Sequence, residues 1–197
     1  MIKKINNVLT KTYSNKLEDQ IKIINWNYMN STASDKDVGD YTYSFSHTLI
    51  DKDKVTSSSA SVFHPAMLEC MKKCDLSESE YYIYRARLGL IVRTPNKVVH
   101  TPHIDYESEG VNEGYLNIVY YVNESDGDTY IFKNTESESV FKNIFKDFSL
   151  NDVVANTYKK NSLVMFDGTL WHSSSTPIHH NARMVMNLNL FKKTLKL

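Results

Sequence analysis

From Arg183 to Leu190 the chain alternates without a break. Arg183, Val185, Asn187 and Asn189 fall on one face of an extended strand, and Met184, Met186, Leu188 and Leu190 on the other. A strand with one continuous apolar face must bury that face against a second layer, so the segment belongs to a layered sheet. Its polar face admits two readings: it faces water, or it lines a cavity while the apolar face packs on helices. Periodicity alone does not choose between them. YLNIVYYVN (115–123) carries a weaker version of the pattern and groups Asn117, Val119 and Tyr121.

Other short strand candidates surround this one. YYIYRARLGLIV (81–92), TYIF after the SDGD turn at 125–128, and NSLVMFDG (161–168) all read as strands, and Tyr41–Ile50 forms an earlier one. A helix is expected within 16–30. A second is expected over Pro65–Cys74, with Pro65 in its first turn and Asp75 and Ser77 ending it. Many short strands preceded by helical segments predict an α+β fold whose core is a double-stranded β-helix, jelly-roll or cupin-like, with supporting N-terminal helices. At 197 residues the chain fits a single domain over 1–197, with a mixed lead-in over 1–80 and the core over 80–191.

Charge and composition exclude several classes. The 23 basic and 23 acidic residues cancel, which disfavours a protein that depends on non-specific attraction to nucleic-acid backbones. The C-terminal FKKTLKL reads as a solvated basic end. No apolar run suits a bilayer, and MIKKINNVLTKTYSN lacks the apolar stretch of a signal peptide, so a cytoplasmic location is expected. Cys70 and Cys74 read as two reduced thiols on a helix, because nothing nearby supplies further metal ligands.

The chemistry concentrates in VVHTPHIDY and FDGTLWHSSS. Non-haem Fe(II) oxygenases hold their metal with two histidines and one carboxylate on one face, leaving the other positions open. Residues two apart on a strand point to the same side, so His103 and Asp105 are candidate ligands, with His172 as the distant second histidine. A lone H-x-D is common by chance, and its weight comes from the ordered segments around it.

Those segments are HTPHID, YLNIVYYVNESDGDTYIF, KKNSLVMFDGTLWHSSS and NARMVMNLNLF, and together they resemble the 2-oxoglutarate/Fe(II)-dependent dioxygenase superfamily. The likeness covers roughly residues 80–191 and is nearest to prolyl-4-hydroxylase-like members and short phage-type oxygenases. It implies that His103, Asp105 and His172 are catalytic metal ligands. It implies that Arg183, eleven residues beyond His172, pairs with the distal carboxylate of 2-oxoglutarate, that Tyr121 shares that carboxylate, and that Asn117 contacts the co-substrate. A guanidinium suits the role because it offers a planar fork.

The sequence departs from the family pattern at two places. Arg183 is followed by Met-Val where R-x-S is common, so the second hydroxyl contact is missing or comes from elsewhere. SDGDT has one Gly where prolyl hydroxylases often have two. Arg85, Arg87 and Arg93 are candidates for the 1-carboxylate end by proximity alone. His100 reads as a partner of the site or as an exposed loop residue, His179 and His180 as loop residues, and Trp171 as packing.

The resemblance implies Fe(II), 2-oxoglutarate and O2 as the reacting set. Succinate and CO2 are released while a C–H bond of a peptide, protein residue or small metabolite is hydroxylated. An Asp ligand argues against halogenating variants. Two rivals keep the barrel: a cupin-like metal enzyme that does not use 2-oxoglutarate, and a catalytically silent binding module. Tyr106, Glu107 and Glu109 follow the metal motif and read as the mouth of the site. Their acidity favours a neutral or cationic substrate.

Overall fold

A computed structural model of the chain describes residues 1–33, 43–106, 114–132, 153–156 and 159–193. Glu107 and Glu109, the start of the strand expected from Tyr41, and the last residues of FKKTLKL lie outside them.

Helix α1 (Lys11–Ile23) starts earlier than the window 16–30 because Thr10 caps it, the Tyr13 amide donating to Thr10 Oγ1 at 3.4 Å. Its buried Ser14, Leu17 and Ile21 recur at helical spacing. Helix α2 (Ala60–Lys73) also starts before its expected boundary, and Pro65 lies inside it rather than in its first turn. Ala60 and Phe63 are buried on the same face as Ala66, Met67, Cys70 and Met71, and burial of that extra turn outweighs the hydrogen bond a proline cannot donate. The helix stops as expected. Asp75 adopts a left-handed φ of 62°, its amide donates to Lys72 O, and the Leu76 amide donates to Met71 O, which satisfies two terminal carbonyls. Cys70 and Cys74 are free and buried.

Two antiparallel sheets complete the fold. The large one runs β1 (Ile2–Asn6), β9 (Ser162–Asp167), β6 (Leu116–Tyr121), β11 (Ala182–Lys192), β5 (Tyr81–Val92), β3 (Ser44–Asp51) and β2 (Asn27–Met29), with β4 (Lys54–Val55) on β3. The small one runs β10 (His172–Ser174), β7 (Thr129–Phe132) and β8 (Val153–Asn156).

The large sheet has two different faces, and β11 separates them. Met186, Leu188 and Leu190 join Ile118, Tyr120, Leu163 and Met165 in a core shared with α1 and α2. Val185, Val119, Tyr121, Val164 and Phe166 pack on the opposite face with Ile131 of β7. Of the two readings of the β11 polar face, the second holds: Arg183, Val185 and Asn187 line a cavity between the layers.

The H-x-D segment departs from expectation. Its two cross-chain pairings are isolated bridges, Val99 to Ser175 and His103 to His172, instead of a continuous strand. Pro102 supplies no backbone N–H, so a regular ladder breaks there.

Candidate metal centre and its cavity

The His103–His172 bridge brings two distant segments together. The His103 amide donates to His172 O at 2.9 Å, and the His172 amide returns the bond to His103 O at 3.0 Å. The two rings therefore lie side by side, with centroids 4.5 Å apart. Each Nδ1 lies 3.2 Å from the carbonyl of the residue two earlier, Thr101 for His103 and Leu170 for His172. With the Nδ1 proton donated to that carbonyl, each ring keeps its Nε2 lone pair for a ligand.

Asp105 completes the group. Its Oδ1 is 3.8 Å from His103 Nε2 and its Oδ2 is 3.6 Å from His172 Nε2. One ligand atom from each of the three residues lies within 4.8 Å of the others. The carboxylate is itself held: Asn187 and Asn189 donate to Oδ2 at 2.9 and 3.0 Å, and the Arg85 guanidinium sits 3.2 Å from Oδ1. Burial works against its charge, but the neighbouring His172, His103 and Arg85 hold the carboxyl well below the usual range. Burial, and then His172, push His103 down to about 4 against the pull of Asp105. At neutral pH the centre thus presents a neutral imidazole beside a carboxylate, the protonation states a divalent cation needs.

A cavity opens beyond this group. Arg183 lies in its wall, 4% exposed. Its terminal nitrogen donates to Thr129 Oγ1 at 2.9 Å and its Nε to Gly127 O at 3.3 Å. The Tyr121 hydroxyl donates to the same Thr129 Oγ1 at 2.8 Å. A hydroxyl oxygen has two lone pairs, so Thr129 accepts twice and keeps only its proton to donate. Gly127 makes room for this arrangement: a Cβ there would stand 2.7 Å from Ser175 O and 2.8 Å from Arg183 Cδ. The single Gly of SDGDT is the one that this close approach requires.

The structure thus brings His103, Asp105, His172 and Arg183 to one cavity, with Tyr121 behind Thr129. Asn117 is placed differently. It is fully buried, one layer back, and accepts from Asn189 Nδ2 at 2.6 Å, so its link to the cavity runs through Asn189 to Asp105. Thr129 was not singled out from sequence. Its one signal was its place directly after the SDGD turn.

The three arginines separate clearly. Arg85 lies beneath Asp105 and donates from Nε to Asn189 Oδ1 at 2.7 Å, Arg87 lines the cavity, and Arg93 is exposed. His100 is buried rather than on an exposed loop, its Nδ1 2.9 Å from Ser174 Oγ. His179 and His180 are exposed, and their amides donate to Asp126. Trp171 packs with Tyr130 and Phe132, as expected of a core aromatic. Among the described residues no helix is long and apolar enough to cross a membrane.

No protein-family model matches the sequence, and no curated protein matches it either. Solved structures do match the fold. A 2OG-Fe(II) oxygenase family oxidoreductase from Burkholderia pseudomallei is 11% identical with a TM-score of 0.67, over 96% of this chain and 84% of that one. HygX from Streptomyces hygroscopicus, solved with nickel and 2-oxoglutarate bound, is 8% identical with a TM-score of 0.63, over 96% and 82%. A prolyl-4-hydroxylase from Pseudomonas putida is 13% identical with a TM-score of 0.55, over 98% and 93%. The chain shares its fold with these oxygenases.

Proposed function

We propose that this chain is an Fe(II)- and 2-oxoglutarate-dependent oxygenase that hydroxylates a C–H bond, with succinate and CO2 as co-products. The observation that carries the reading is the pairing, in one cavity, of the His103–Asp105–His172 group with a buried arginine beside a donating hydroxyl. We read the two sheets as the walls of a double-stranded β-helix, with β6 and β11 facing the small sheet.

The donor set fits a divalent metal. Two Nε2 lone pairs and a carboxylate held ionised on one side leave the opposite side to the cavity. The co-substrate also fits. Arg183 and the Thr129 proton converge as donors suited to its 5-carboxylate, and Tyr121 fixes the Thr129 hydroxyl so that this proton faces away from the ring. Thr129 thereby stands in for the hydroxyl missing after Arg183. When bound, the metal and 2-oxoglutarate together would supply the oxidant.

The chain's own residues orient the reactants and keep the site ready. Asn187 and Asn189 fix the plane of the Asp105 carboxylate, and Arg85 keeps it ionised. Val119 and Val185 line the same cavity and limit water around the reacting groups.

Anaerobic addition of Fe(II) and 2-oxoglutarate should produce a visible charge-transfer band, lost in His172→Ala. Succinate should form on admission of air. Metal binding without succinate under any condition would instead identify a cupin-like metal enzyme. Full band intensity in His172→Ala would remove the metal assignment.

A further inference from the structure

Arg87 is left over by the arrangement just described. It lies in the middle of β5, opposite Asn187 of β11, and lines the same cavity as the metal group. Its guanidinium has one ionic neighbour among the described residues, Asp105 Oδ1, at 4.0 Å. That oxygen is already held by Arg85 at 3.2 Å. Among the described residues Arg87 makes no side-chain hydrogen bond, yet its side chain is only 30% exposed. A half-buried guanidinium carries five donors that need acceptors, and here the space they face is the cavity.

The charge count points the same way. Among the described residues Arg85 and Arg87 approach Asp105 and Arg183 lines the same cavity, three guanidinium charges to one carboxylate, an excess of two. A divalent metal and the dianionic co-substrate cancel one another, so loading leaves that excess in place. Ser31, Ser44 and Ser46 lie in the wall of the same cavity, and Ser46, paired with Gly89, shares the sheet face of Arg87. Hydroxyls and a guanidinium beside the apolar Ile91 and Val185 suit a small molecule that presents an oxyanion to Arg87 and a less polar body to those side chains.

We infer that Arg87 and this hydroxyl wall form the subsite for an anionic group, carboxylate or phosphate, on the small molecule that is oxidised. The inference rests on the oxygenase reading and names its substrate class. It reverses the preference for neutral or cationic substrates suggested by Glu107 and Glu109, which lie outside the described residues.

The test uses the full chain loaded with Zn(II) and 2-oxoglutarate, so that Arg183 and the metal are already engaged. Loading is checked first by metal content and by 2-oxoglutarate retained in dialysis. Phenylacetate, phenyl phosphate and the neutral phenylacetamide are then titrated by calorimetry. One of the anions should bind about tenfold to a hundredfold more tightly than the amide, the gain expected of a charge-assisted hydrogen bond. The tighter anion identifies the group. Arg87→Gln should erase the preference, and Arg87→Lys, which keeps the charge beside Asp105, should retain part of it.

Equal binding of all three probes, binding of none, or a preference that survives in Arg87→Gln overturns the inference. The first two results would mean that Arg87 already serves the co-substrate's 1-carboxylate or the metal group. A protein that fails to load at all defeats the oxygenase reading and this inference together. A loaded protein blind to charge defeats only the inference.

Discussion

Thr129→Val removes one hydroxyl and keeps the shape of the side chain. Two buried donors each lose one acceptor: the Tyr121 hydroxyl at 2.8 Å and the Arg183 guanidinium at 2.9 Å. A hydrogen bond from a charged donor contributes about 1.5–3 kcal/mol and a neutral one about 0.5–1.5 kcal/mol, so the combined loss should be about 3 kcal/mol. For a chain of this size that corresponds to a fall in Tm of roughly 6–12 °C. Tyr121→Phe, which removes the neutral bond alone, should cost about 1 kcal/mol. Thr129→Val also loosens the guanidinium, so KM for 2-oxoglutarate should rise about tenfold, equivalent to about 1.4 kcal/mol. kcat at saturating co-substrate should change little, because the lost interaction acts on binding. Urea unfolding gives the first quantity and succinate release against 2-oxoglutarate the second. A Thr129→Val protein within about 0.5 kcal/mol of wild type, with unchanged KM, would refute the shared-hydroxyl reasoning.

Gly127→Ala should also raise KM for 2-oxoglutarate and cost about 1–3 kcal/mol, because its Cβ meets Ser175 O at 2.7 Å and Arg183 Cδ at 2.8 Å; unaltered kinetics would show that the turn yields freely. Asp75→Gly should stabilise the chain by about 0.5–1 kcal/mol in urea unfolding, since the left-handed φ of 62° favours glycine and the exposed Lys3 pair contributes little. Asp126 accepts from the Ile178, His179 and His180 amides and from the His180 ring; burial opposes its charge, but these bonds hold its carboxyl below the usual range. Its folded value being depressed, its contribution is complete above the unfolded carboxylate value of about 4 and is lost as pH falls through the folded value. Asp126→Asn should therefore flatten the acid limb of the stability profile measured by urea unfolding between about pH 5 and 2, while a profile parallel to wild type would count against it.

The facing of β6 and β11 was legible in the sequence because alternation records burial between two layers, and both faces here are buried by different partners. The convergence of His103, Asp105 and His172 was legible by residue type and order, but the expected means of it was wrong. Pro102 interrupts the strand, and the mutual amide bonds of His103 and His172 do the positioning instead. The arginines could not be ranked from sequence, because Arg85, Arg87 and Arg93 share one parity and so one predicted face. What separates them is tertiary: Asp105 and Asn189 claim Arg85, the cavity takes Arg87, and Arg93 lies beyond the end of β5. β1 escaped notice for a related reason. The two lysines in IKKIN break the alternation, and its pairing partner, β9, lies more than 150 residues away. Thr129 gained its role only from the approach of β11 and β6 to the turn before β7.

The paired amides of His103 and His172 also bear on how long a bound metal stays. Each candidate ligand ring is carried by a backbone unit tied to the other and leans its Nδ1 on a carbonyl two residues earlier, so opening the pair would release both rings together. The escape of a metal held there would then track the opening of this one pair. Amide exchange at residues 103 and 172 becomes a clock for metal residence, slow together in the loaded protein and fast together once a chelator has stripped it.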